Sequence, residues 1–70
     1  MMPLALADVG TENLIRKVGG SPEVRRHLEE LGFMAGGTAT VVAAMSGNII
    51  VKVKEARVAI SAEMARKIMV

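Results

Sequence analysis

Three side chains of the sequence have the types and the spacing that a metal ion requires. Glu23, His27 and Glu30 lie at positions i, i+4 and i+7, which in a helix places them on one flank. One imidazole with two carboxylates suits a divalent transition metal. The same residues also have ordinary roles, because Glu23 complements the positive end of a helix and Glu30 follows Arg26 by four residues. We therefore assign no metal ligand and no cofactor, and keep a metal-binding or metal-sensing module as the alternative hypothesis.

The sequence contains few residues of the types that catalyse reactions. The sequence contains no Cys and no Tyr, and Asp8 is its only aspartate. Its serines, Ser21, Ser46 and Ser61, occupy cap and turn positions, where a hydroxyl serves the backbone. None of them is arranged with a base and an orienting partner. The sequence predicts that the protein is not an enzyme.

Basic residues outnumber acidic ones, nine to seven, for a formal net charge of +2. They fall in four groups along the chain: Arg16-Lys17, Arg25-Arg26, Lys52-Lys54-Arg57 and Arg66-Lys67. Lys52 and Lys54 share one face of a predicted strand, so we expect a local positive strip there. Proteins that bind single strands stack bases on aromatic rings, and Phe33 is the only aromatic residue. We predict no nucleic-acid partner, and keep an acidic protein or anionic lipid headgroups as alternative partners of this strip.

One helix must position most of these side chains. Ser21 is a favourable N-cap and Pro22 suits the first helical position. Val24, Leu28 and Leu31 form an apolar stripe, and a glycine at position 32 favours termination in the left-handed conformation. The pattern predicts a helix over residues 22–31.

The rest of the chain is predicted to be short strands joined by tight turns. A first strand spans 11–18, with Leu14 and Val18 on one face and Ile15 on the other, outward face. Further strands follow at 38–44, at 48–54 and near Val58 and Ile60, with a helical turn at 62–66 and a last strand at 68–70. The fold class is mainly β: a small SH3-like, partly open barrel with one inserted helix and a short C-terminal helical turn. We expect one domain over 1–70, no signal peptide and no transmembrane segment, hence a cytoplasmic protein.

The segment after the helix holds two large apolar residues in a loop. We expect Phe33 to fold back as part of the core, and Met34 to remain at the surface as a contact residue. A small barrel also leaves free strand edges, so pairing between copies is open.

Several segments, taken together, resemble the FeoA family (ferrous iron transport protein A). Pro3-Leu4-Ala5-Leu6 and Gly19-Gly20 are similar to its opening, and residues 25–36, RRHLEELGFMAG, to its central signature. Residues 51–53 and 57–60, then Ala65 and residues 68–70, are similar to its closing strands. The family commonly has Pro in place of Ala35 and often a longer loop at 46–48, and His27 stands where Arg is common.

The resemblance implies an SH3-like accessory protein that binds FeoB, the membrane ferrous-iron permease with a GTPase domain. Its partner would then be the cytoplasmic part of that permease rather than iron. We expect the interface to lie on the helix, the following loop and the adjacent strand edges. The expected contact residues are Arg25, Arg26, Leu31, Gly32, Phe33 and Met34. The same module resembles the C-terminal domain of iron-dependent repressors, which carry a DNA-binding domain upstream.

Overall fold

The computed structural model describes residues 1–70 as a small β-structure with two α-helices and one 3-10 helix. The 3-10 helix, Leu4–Leu6, comes first, and the strands and α-helices follow it in chain order. They are β1 (Glu12–Leu14), β2 (Lys17–Val18), α1 (Pro22–Leu31), β3 (Thr38–Met45), β4 (Asn48–Val53), β5 (Ala56–Ser61), α2 (Ala62–Ala65) and β6 (Ile68–Met69). The mainly β fold class, with one inserted helix and a short C-terminal helical turn, is confirmed.

The strands form two antiparallel sheets. The larger one has the order β1-β3-β4-β5, and the smaller one pairs β2 with β6. Two-residue turns join β3 to β4 and β4 to β5. In the first of these, Ser46 and Gly47 both have positive φ, 48° and 80°, as the twist of a tight hairpin requires. Short connections therefore build a meander, and the second sheet joins segments that are far apart in sequence.

The core is one cluster, built from strands of both sheets and from all three helices, and it is entirely apolar. In β4, residues at alternating positions point inward, and Ile49, Val51 and Val53 are all buried, as predicted. Ile60 is buried on β5, and Val58 is half-buried against the core. The 3-10 helix was not predicted, yet it buries Leu4 completely.

Helix α1 begins and ends at the predicted residues. The Ser21 hydroxyl accepts a hydrogen bond of 3.3 Å from the backbone N–H of Val24, and Gly32 ends the helix with φ 111°. Leu28 is buried, while Val24 and Leu31 pack against the core from half-buried positions. The face of α1 that carries these three residues is thus packed against the core, and the other faces are exposed to solvent.

We expect Ser21→Ala to lower the free energy of unfolding by about 1 kcal/mol, because the mutation removes this N-cap. Ser21→Asp should leave stability almost unchanged, since an aspartate caps equally well. Urea denaturation of both variants measures the difference. Equal losses in the two variants would show that the cap hydrogen bond is not the cause.

The prediction of the first strand is wrong both in the length of the strand and in which of its side chains face the core. The segment breaks after Leu14: β1 pairs with β3, whereas β2 pairs with β6 in the other sheet. Ile15 lies at this break and is 1% exposed, while Leu14 is 49% exposed. A single continuous strand would alternate its side chains, but a chain that changes sheets can turn Ile15 inward. Ile15 therefore belongs to the core and not to an outward face.

Candidate partner-binding groove

A groove of about 440 Å³ lies between β2 and α1. Its polar lining comes from β2, the residue before it and α1, and consists of Arg16, Lys17, Arg25, Arg26 and Glu29. Its apolar lining consists of Val18, Pro22, Met34 and Ala35. These nine residues define the basic groove.

Backbone hydrogen bonds hold both ends of the basic groove. At one end the turn at Gly19, Gly20 and Ser21 leads directly from β2 into α1, and the N–H of Gly19 donates to the carbonyl of Lys67 at 2.7 Å. At the other end Ile15 is bonded twice to the connector after α1. Its N–H donates to the carbonyl of Gly37 at 2.8 Å, and its carbonyl accepts from the N–H of Gly36, also at 2.8 Å. The break between β1 and β2 thus fixes Met34 and Ala35 beside Arg16.

The charge of the molecule is concentrated in the basic groove. Four positive side chains and the single carboxylate of Glu29 give it a formal charge of +3. The whole chain carries only +2, so all the remaining residues together carry −1. The four cations are exposed to solvent. This surface therefore attracts negatively charged groups although the protein is only mildly basic.

Helix α1 has three faces with different properties. At 100° per residue, Val24, Leu28 and Leu31 face the core, and Pro22, Arg25, Arg26 and Glu29 face the basic groove. Glu23, His27 and Glu30 lie on the third face and are exposed. No three histidine or acidic side chains of the chain are grouped so that they could hold a metal ion. The metal site considered at Glu23, His27 and Glu30 is therefore not formed in this structure.

The structure brings three of the predicted contact residues together. Arg25, Arg26 and Met34 all line the basic groove, and Met34 is 45% exposed. Leu31 and Gly32 are half-buried at the end of the helix, and Gly32 borders a second depression, of about 480 Å³, that also includes Met34. Met34 thus borders both depressions, whereas Leu31 lines neither and packs against the core.

Phe33 does not belong among the predicted contact residues. It is completely buried, so the prediction that it belongs to the core is confirmed, and its side chain offers no surface to a partner. The cause is the helix end: after Gly32, the N–H of Phe33 donates to the carbonyl of Leu28 at 3.0 Å. This arrangement commonly places the second residue after a helix against its last turns. Both Phe33 and Leu28 are 0% exposed.

Sequence reasoning did not connect Arg16 and Lys17 with the helix. It predicted a positive strip at Lys52 and Lys54, but Lys54 lies in a turn, with φ 55°, and not in β4. The signal for the basic groove was the pair of glycines between the two groups of cations. A turn this short returns the chain alongside the preceding residues, so Arg16-Lys17 and Arg25-Arg26 must lie near one another.

The fold and the groove describe a small SH3-like module with one positively charged groove. The model of the FeoA domain matches residues 2–70. A protein of Methanocaldococcus jannaschii named as a candidate Fe(2+) transport protein A is 31% identical over 70 residues, covering 100% of this chain and 85% of the relative. The chain belongs to the FeoA family.

Solved structures agree in fold. The crystal structure of an iron uptake regulatory protein, also FeoA, has a TM-score of 0.86 at 28% identity, covering 96% of this chain and 89% of the other. Zinc-complexed FeoA from Stenotrophomonas maltophilia, described as a prokaryotic SH3 domain protein, has a TM-score of 0.85 at 24% identity, with coverage of 99% and 88%. The SH3-like fold class is thereby confirmed. None of the helices has the length and hydrophobicity needed to cross a bilayer.

Proposed function

We propose that this protein is a cytoplasmic accessory of ferrous iron transport that acts by binding the cytoplasmic part of a FeoB-type GTPase permease. The observation that carries the proposal is the match to the FeoA domain over residues 2–70. The matched archaeal relative is named for Fe(2+) transport and is aligned with the whole chain.

The basic groove supports binding to a protein. It combines charged side chains at Arg25 and Arg26 with the exposed methionine Met34. Methionine adapts to the shape of a partner, and arginine is among the residues enriched in protein interfaces. The basic groove has no serine, threonine, cysteine, aspartate or histidine in its lining. Such a surface is suited to recognition of a partner.

Capture of the purified cytoplasmic domain of the permease tests the proposal. We expect the double variant Met34→Asp, Arg26→Glu to weaken binding at least tenfold, because it buries a new charge and reverses another at the interface. The matched control is Met45→Asp, Arg57→Glu. It makes the same chemical changes at an exposed methionine and an exposed arginine outside the basic groove.

The two double variants give clear outcomes. Loss of binding in the first and retention in the control supports both the partner and the interface. Equal binding in all forms, or loss only in the control, would contradict the interface at α1. No binding of the unaltered protein by the permease domain would contradict the proposed partner. Thermal unfolding of each variant verifies that the fold is retained.

A further inference from the structure

We infer that the basic groove binds an extended acidic segment of the partner, with an apolar side chain of that segment against Met34. The inference rests on the proposed function only for the identity of the partner. The groove itself indicates which ligand would fit it. It carries a formal charge of +3, contributed from the β2 side and from α1, around a small apolar patch.

The charges of α1 are placed where the helix macrodipole disfavours them. Arg25 and Arg26 lie in its N-terminal half, whereas Glu29 and Glu30 lie near its C-terminal end. The helix macrodipole favours the opposite arrangement. Each arginine also precedes its glutamate by four residues, which is the less favourable order for such a pair. The helix dipole therefore does not explain cations at these positions, and the i,i+4 pairing with Glu29 and Glu30 explains them only weakly. An anionic ligand in the groove gives them a further role.

The lining of the groove favours a peptide over other anions. Proteins that bind single-stranded nucleic acid stack its bases on aromatic rings, and the only aromatic residue, Phe33, is buried. Glu29 interrupts the positive lining and repels a uniform polyanion. A concave groove also admits a narrow segment rather than a membrane plane. Separated carboxylates around one apolar side chain match this mixture of four cations, one carboxylate and Met34.

The first experiment uses short synthetic peptides and the isotope-labelled full chain, observed by amide chemical shifts. The probe has a pair of acidic residues on each side of one leucine. Its controls have alanine in place of the leucine or lysines in place of the acids. A single-stranded oligothymidylate and vesicles of phosphatidylglycerol serve as competing anions. We expect saturable shifts confined to the residues of the groove, with weaker binding of the alanine peptide and none of the lysine peptide.

A charge swap then tests the groove without changing composition. Arg26→Glu, Glu30→Arg keeps the net charge at +2 but lowers the formal charge of the groove from +3 to +1, because Glu30 is not part of its lining. We expect the acidic peptide to bind about tenfold more weakly, since an attraction becomes a repulsion. The melting temperature should not fall, because the swap agrees better with the helix dipole. The control swap, Glu55→Arg, Arg57→Glu, lies outside the groove and should leave peptide binding unchanged.

Each outcome supports or overturns the inference. Shifts in the groove that are lost in the Arg26–Glu30 swap but kept in the control swap support it. Peptide shifts elsewhere on the molecule, equal binding of the alanine and leucine peptides, or tighter binding of the oligonucleotide or the vesicles would overturn it. Since no permease is present, a negative peptide result leaves the proposed function standing. A permease domain that fails to bind leaves a positive peptide result standing.

Discussion

Phe33→Ala should be among the most damaging single substitutions in this protein. The ring is completely buried, in the same core cluster as Leu28, and truncation of a buried phenylalanine typically costs about 3–5 kcal/mol. A domain of this size has a total stability of only about 4–10 kcal/mol. Each kcal/mol lost lowers the melting temperature by about 4–8 °C. We therefore expect a large fraction of unfolded molecules at physiological temperature, visible by circular dichroism.

The neighbouring residue provides the control for this prediction. Met34 is 45% exposed, so Met34→Ala should change stability by no more than about 0.5 kcal/mol. The two substitutions thus distinguish the buried residue from the exposed residue of one dipeptide. Comparable destabilisation by both would mean that the connector packs differently from the structure.

Ile15→Ala should have the second-largest effect. Ile15 is 1% exposed at the junction of β1 and β2, and removal of a buried isoleucine side chain costs about 2–5 kcal/mol. Leu14→Ala removes a similar volume from a side chain that is 49% exposed, and should cost well under half as much. Denaturant unfolding of both variants measures the ratio.

This pair of substitutions also tests the facing of the segment. If residues 11–18 formed one continuous strand with Leu14 inward, the order of the two effects would be reversed. A larger loss in Leu14→Ala would therefore contradict the break after Leu14 and the inward position of Ile15.

Local signals predicted the helix and the hairpins, because each depends on residues close in sequence. The cap at Ser21, the left-handed Gly32 and the alternation of Ile49, Val51 and Val53 act within a few positions. The break after Leu14 depends on which partner each half of the segment meets. Those partners, β3 and β6, lie far along the chain, so periodicity alone could not show it.

The candidate site was predictable to a similar degree. The sequence identified Arg25, Arg26 and Met34 as surface residues of one region, and the structure places them around one groove. It did not identify Arg16 and Lys17 as members, since their position depends on the geometry of the turn and on the pairing of β2 with β6. Phe33 was included among the contacts because a large apolar residue after a helix can either pack into the core or contact a partner. The backbone hydrogen bond to Leu28 decides for burial.

The pairing of β2 with β6 also has a consequence for the order of folding. The β3-β4-β5 meander closes through tight turns, so its contacts can form early and at a low entropic cost of loop closure. The wall of the groove at Lys17 is held by Met69, from the opposite part of the sequence. We expect this pairing to form late, after most of the core is in place. The groove is complete only when Lys17–Val18 has met Ile68–Met69, so a partner that recognises it recognises the folded domain and not one segment of it.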